Sequence, residues 1–269
     1  MALNSFPWMQ QSRFIHVFTP RTGEYLKRKN MKNLKFIITI VLCISITSCI
    51  DAQLRKTVYG NNKVIKRDRT AEPFTAVRVS SGIDVYLSQG DKISLSVEAD
   101  ENLHEYILTE VSDGVLRVYT EVNIREAEMK KVYVTMKEVR ALSTSSAGDL
   151  IGETPVRSDE LRLSASSAGD IKIEVYAKNI DTDISSSGDV TLTGEADMLD
   201  ASLSSAGDLN AFNLKVREAE VSASSAGNAD VYVTERIVAR ASSAGDINYK
   251  GDPKHVDAHS SSAGGVHKR

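Results

Sequence analysis

The chain has 269 residues, with 33 Lys and Arg against 36 Asp and Glu, one tryptophan and two cysteines. The slightly acidic balance offers no basic surface to a phosphate backbone and excludes nucleic acid as a partner. Two cysteines, with no Cys-x-x-Cys pair, exclude a disulfide-built scaffold and a thiolate metal centre.

An export signal comes first. Lys32 and Lys35 precede the apolar run Phe36-Ile37-Ile38-Thr39-Ile40-Val41-Leu42, and Ile46-Thr47-Ser48-Cys49 reads as a lipobox. The run is too short to span a bilayer and has the flanks of a signal. This predicts a bacterial lipoprotein signal over 31–48 and lipidation of Cys49. A signal belongs at a true N-terminus and Met31 stands where a start would, so 1–30 reads as an over-extended frame. Removing residues 1–48 removes seven Lys/Arg and one Glu; 26 basic residues then face 35 acidic ones, a net charge of −9. Cys43 leaves with the signal and Cys49 carries lipid, so no internal disulfide is expected. Residues 49–72, polar and mixed in charge, read as a tether.

From residue 73 the pattern becomes that of strands. Val77, Val79, Val85 and Leu87 alternate around Ser80-Ser81-Gly82-Ile83-Asp84. Alternation with period two marks strands with one buried face. It recurs in Ile93-Leu95-Val97, in Val115–Tyr119 and over 131–136, which read as irregular rungs or a hairpin-like cap. Ile83 lies 65 residues before Gly148, room for about three coils.

Then Ser-Ser-Ala-Gly-Asp begins to repeat. Its glycines are Gly148, Gly169, Gly188, Gly207, Gly227, Gly245 and Gly264, at steps of 21, 19, 19, 20, 18 and 19 residues. Positions −8, −6, −4, +2 and +4 from each glycine are mostly apolar, as in Leu161, Leu163, Ala165, Ile171 and Ile173. A unit this small cannot bury its apolar face alone, but stacked units share a core. The prediction is an all-β parallel β-helix, a solenoid of 19–20-residue rungs about 4.8 Å apart. The glycine marks a bend, either at positive φ or where a side chain would clash.

The Gly82–Leu87 run followed by serial Ser-Ser-Ala-Gly-Asp units resembles the auto-transporter adhesin, head GIN domain family of bacterial secreted proteins, over 73–268. The resemblance implies an all-β helical stack on an exported protein and brings no established chemistry.

The residues themselves offer little chemistry. Asp149, Asp170, Asp189, Asp208 and Asp246 follow the repeat glycines, and stacking sets them in one file. Such a file is either a calcium ladder or a row of turn residues bonded to backbone and serine. Asn228 and Gly265 interrupt it and the calcium-roll nonapeptide is absent, so neither metal nor cofactor is expected. The serine pairs form hydroxyl ladders suited to cross-rung bonding or to a repetitive ligand. No Gly-x-Ser-x-Gly elbow accompanies them. His255 and His259 read as surface residues. Tyr86, Tyr119, Tyr133, Tyr176, Tyr232 and Tyr249 read as partly buried. An enzyme acting on carbohydrate would need a break in the repeat. The irregular stretch 99–140, with Glu101, Glu105, Glu110, Arg117, Glu121, Arg125, Glu126 and Glu128, is where its site would lie. The leading expectation is a non-enzymatic outer-membrane lipoprotein, on the surface or periplasmic face. Its lipid anchor partners the membrane; its β-helix takes a glycan or an extracellular protein. At the C-terminal end the last rung should leave an open strand edge, with His267-Lys268-Arg269 as a charge guard or the edge used for end-to-end dimers.

Overall fold

A computed structural model describes residues 55–269. The expected signal over 31–48, Cys49 and residues 1–30 lie outside them. The N-terminal part holds β1 (Thr57–Tyr59), β2 (Val64–Arg69), β3 (Ala76–Val79), β4 (Asp84–Gln89) and β5 (Ser94–Asp100). A 3₁₀ turn at Glu101–Leu103 leads to β6 (Leu108–Ser112), β7 (Val115–Tyr119), β8 (Asn123–Arg125) and β9 (Lys130–Met136). The repeats supply β10 (Ala141–Thr144), β11 (Asp149–Gly152), β12 (Val156–Ala165), β13 (Asp170–Ile184), β14 (Asp189–Leu203) and β15 (Asp208–Ala223). They end with β16 (Asn228–Ala241), β17 (Asp246–Lys250), β18 (His255–Ser260) and β19 (Gly265–Lys268).

The repeats stack as a parallel solenoid in the predicted register. Leu142, Leu163, Thr182, Ala201, Val221, Ala239 and Ala258 stand one above another in the strands before the turn. Leu150, Ile171, Val190, Leu209, Ala229, Ile247 and Val266 do so after it. Every member of both columns is buried except Ala258 and Val266, in the last rung. Period-two alternation thus becomes a continuous apolar interior that no single rung could close.

The turn explains the Ser-Ser-Ala-Gly signature. In the first copy Ser146 and Ala147 take φ of 52° and 57°, and the Gly148 N–H donates to Ser145 O at 3.1 Å. Two central residues at positive φ closed by that bond make a type I′ turn. The left-handed conformation falls on the serine and alanine, while the glycine serves the other purpose, close approach. A Cβ on Gly188 would stand 2.6 Å from the Ala165 carbonyl carbon in the rung below. The left-handed region costs a non-glycine residue roughly 1–2 kcal/mol. What offsets it is a ladder running through the turns. The Ala147 N–H donates to Ser167 O, Ala168 to Ser186 O, and so on to Ala244 and Ser262 O, at 3.0–3.1 Å.

The first rung is where chain order and spatial order part. β3 and β4 pair in parallel with β10 and β11, so Asp84 opposes Asp149 and Ile83 falls in register with Gly148. No coils intervene. The 65 residues between them instead build an end structure. β7 and β9 form a rung on the opposite side of β3 and β4. β6 folds back antiparallel on β7, and β5 lies antiparallel between β2 and β9. Phe74, Leu103, Ile107, Met136 and Val139 fill the space beneath and are buried. Both readings of this stretch, rung and hairpin-like cap, therefore hold at once. The tether is shorter than the reading of 49–72: residues 57–59 and 64–69 are strands, β1 pairing with β8 and β2 with β5. Their alternation is masked by outward Lys66 and Asp68, which hid the strand in a polar run.

Asp100 locks this cap. It is fully buried and accepts the backbone N–H of Asn62 at 2.5 Å, Glu128 at 2.9 Å and Met129 at 3.2 Å. One carboxylate thereby satisfies amides of two loops that no ladder reaches. Arg69 does the converse, donating to Ile107 O, His104 O and the Thr109 hydroxyl.

Candidate functional site

Three outward surfaces result from the stacking. The first lies just before the turn. Ser164, Asp183, Ser202, Ser222, Arg240 and His259 form one outward column, and Ser185, Ser204, Ser224, Ser242 and Ser261 stand beside them at the mouth of the turns. Together they line a groove of about 820 Å³ running across the rungs, within the size range of ligand sites. Its lining is hydroxyl-rich. Arg240 is tied to Glu220 at 2.6 Å and His259 to Asp257 at 2.9 Å. With Arg240 and His259 paired, Asp183 is the one lining charge without an ion-pair partner, so the groove offers many neutral donor–acceptors around a single carboxylate, which suits a polar, extended, hydroxyl-rich ligand. The serine ladders are where the sequence placed them; the concavity needed the fold.

The second surface is the carboxylate file. Register places Asp84, Asp149, Asp170, Asp189, Asp208, Asn228 and Asp246 in one column. Asp84, at its head, belongs to the file through the Ser80–Asp84 copy. Burial first, then the neighbouring Asp170 and Asp84, raises Asp149 above the ordinary carboxylate value. Burial, then Asp170 and Asp208, does the same for Asp189. Asn228 relieves one junction by donating its amide to Asp208 at 2.8 Å. Among the described residues no three acidic or imidazole side chains converge on a point a metal could occupy.

The third surface shows how this stack otherwise handles charge. Lys178 meets Asp159 at 2.9 Å, and Arg217 meets both Asp197 at 3.5 Å and Glu235 at 3.1 Å. Signs alternate from rung to rung, as facing charges should. The aspartate file departs from this, as does the shorter column Asp181, Asp200 and Glu220, where burial and then its two acidic neighbours raise Asp200.

The stretch 99–140 gathers no reactive cluster. Glu101 is paired with Lys63 at 2.8 Å, Glu110 accepts the Tyr119 hydroxyl at 3.0 Å, and Arg117 lies over that same ring. None of the eight charged residues singled out there lines any of the three main grooves, which lie on the repeats and at Glu138 and Arg140. The six strand tyrosines are all half-buried. Tyr86 and Tyr133 stack at 5.3 Å, with Lys131 over the first and Lys66 over the second. Tyr133 donates to Glu98 at 2.8 Å, and this bond, with burial, pushes its hydroxyl up to about 12. Those ring faces are occupied from within. His255 and His259 are exposed, whereas His104 is buried, one ring nitrogen on Ile65 O. No signal in the sequence separated the three.

Fold and surfaces define the class: a β-solenoid with an adhesin-like, uniformly repeated outer face. The chain belongs to the family described as "Putative auto-transporter adhesin, head GIN domain", whose pattern matches residues 73–253. That family is one of cell-surface or envelope proteins by its description. The fold recurs in a "putative adhesin" of Bacteroides fragilis NCTC 9343, 22% identical, covering 79% of this chain and 100% of that one, TM-score 0.75. It recurs in a "putative adhesin" of Parabacteroides merdae ATCC 43184, 22% identical over 80% and 99%, TM-score 0.65. A "putative lipid binding protein" of Parabacteroides distasonis ATCC 8503 is 24% identical over 80% and 100%, TM-score 0.62. No curated protein matches the chain.

Proposed function

We propose that the protein is a non-enzymatic outer-membrane lipoprotein. Lipid on Cys49 holds it to the membrane, and the serine groove binds a hydroxyl-rich extracellular partner, a glycan first of all. The observation that carries this is the groove. Hydroxyls line one trough at intervals of about 4.8 Å, with Asp183 as its one unpaired charge, and a ligand with its own repeat can match it site for site. Each hydroxyl contributes little alone, so affinity comes from the number of rungs engaged. The family assignment to surface adhesins and the ordered signal ending at Ser48 support the setting.

The unit from Lys56 to Arg269 holds all of the described core, and similarly bounded relatives are whole solved chains. That fragment, probed on a glycan and matrix-protein array, should bind a neutral glycan. Ser222→Tyr, which fills the groove from an outward position, should abolish the signal. Binding that survives Ser222→Tyr, or no binding anywhere on the array, refutes the groove. For the anchor, Cys49→Ser should end incorporation of labelled fatty acid; label that persists refutes it.

A further inference from the structure

The two ends of the solenoid are built differently. The N-terminal end is closed by β5, β2 and the buried Leu103 and Ile107. The C-terminal rung, β18 and β19, pairs only with the rung beneath it, β16 and β17. Among the described residues nothing meets its other side. All six residues of β18 are exposed, and Val256, at an inward position of the repeat, is 49% exposed. The basic tail does not guard this edge. Lys268 turns back to Asp252 at 2.7 Å, and Arg269 is held by Asn248 and by Tyr249 O, all in the rung below.

We infer that this end pairs with a second copy of the chain, β18 against β18 of the partner, antiparallel about a two-fold axis at Ala258. Register argues for it. In an antiparallel pair, opposite residues share a face, so only registers that keep inward residues opposite inward ones are allowed. Centred on Asp257, the allowed register sets two aspartates against each other. Centred on His259, it sets two histidines together and loses Val256. Centred on Ala258, Val256 meets Ser260 and Ala258 meets itself across the continued interior, while Asp257 meets His259 twice on the outer face. This choice pairs Val256–Ser260 of β18 with themselves and, of these three registers, alone makes the charge pattern self-complementary. The Asp257–His259 contact within one chain, at 2.9 Å, shows that the two groups already attract.

The consequence for adhesion rests on the reading above. The chain enters the fold at the capped end, where Lys56 bonds the Tyr106 hydroxyl at 3.0 Å. A lipid at Cys49 is thus joined to that end. A tail-to-tail pair would carry its two anchors at opposite extremities, as a link between two apposed membranes requires. The patch is small, so each contact is weak and micromolar, and many parallel copies supply the strength.

The Lys56–Arg269 fragment contains no cysteine, so Ala258→Cys gives it a single thiol on the proposed axis. Under mild oxidant this variant should cross-link to dimer far faster than a Ser205→Cys control on an exposed turn. In sedimentation velocity the unaltered fragment should dimerise reversibly in the micromolar range. Ala258→Glu, which sets like charges opposite at a site a monomer leaves exposed, should weaken that at least about tenfold. A fragment monomeric at all concentrations, or Ala258→Cys cross-linking no faster than the control, overturns the inference. A dimer that Ala258→Glu leaves unchanged uses another surface and overturns it as well. If the fragment dimerises as described but Cys49→Ser retains lipid, the pairing stands and only the link between membranes falls.

Discussion

Asp189→Asn should make the protein more stable at neutral pH. Asp189 stands between Asp170 and Asp208 in neighbouring rungs, on strands about 4.8 Å apart. Like charges directly opposite on a sheet destabilise by about 0.2–1 kcal/mol per pair. Two pairs at a solvent-exposed site, discounted for screening, leave about 0.5–1 kcal/mol. In a unit of this size that is a rise of about 1–4 °C in Tm. The pH dependence ties the effect to the ionised carboxylate, raised by burial and then by Asp170 and Asp208, and the salt dependence isolates the repulsion. The folded pKa of Asp189 is raised, so the folded state holds this proton more tightly than the unfolded chain does. The stability so gained is fully present below the ordinary aspartate value, about 3.9, and is lost as pH rises through the raised folded value. The variant's advantage should therefore be present at pH 7 and vanish below about pH 4. Asn228, already in this column and bonded to Asp208, shows that an amide fits. Thermal unfolding of both forms between pH 3 and 8, at low and high salt, is the assay. A lower Tm for Asp189→Asn at pH 7 would refute the repulsion argument and mean that the carboxylates hold something between them.

Other changes test the rest of the fold. Gly188→Ala should lower stability by about 1–3 kcal/mol, its Cβ landing 2.6 Å from backbone. Gly264→Ala meets its neighbour at 2.7 Å but lies in a rung free to shift, so its loss in Tm should be smaller. Thr182→Val should raise Tm, because the Thr182 hydroxyl is buried without a partner and removing it recovers on the order of 1–3 kcal/mol. Asp100→Ala strands three backbone amides and should cost more than about 3 kcal/mol; hydrogen exchange should accelerate in residues 57–69 and 123–136 before the repeats respond.

The repeat was legible because its physics is local. Spacing and parity alone put Leu163 above Leu142 and Ile171 above Leu150, and the same alignment put Ile83 in the register of the repeat glycines, though with about three coils expected between it and Gly148 where the structure has none. What stayed hidden depended on contacts distant in sequence. Nothing near Asp100 announces that it will collect amides from residues 62, 128 and 129. The glycine's role was split between two mechanisms that sequence cannot tell apart, since Ser-Ala-Gly suits either a left-handed turn or a close approach. The structure assigns the first to Ser146 and Ala147 and the second to Gly148. The serine ladders could be read, but the groove they line could not, because concavity comes from how a strand leaves its turn. The aspartate file was visible while its oddity was not. That emerges only beside the alternating column of Asp159, Lys178, Asp197, Arg217 and Glu235.

The interleaving of the first rungs also sets an order of assembly. β3 and β4, made early, are clasped between β7 and β9 on one side and β10 and β11 on the other, all made later. A chain emerging N-terminus first therefore cannot complete its opening rung as it appears. The repeats from β12 to β16 pair only with near neighbours in sequence and can form at once. The cap's other pairs all lie within residues 57–136, so the entry end closes on itself without the repeats, and only the far side of β3 and β4 waits for the stack to arrive.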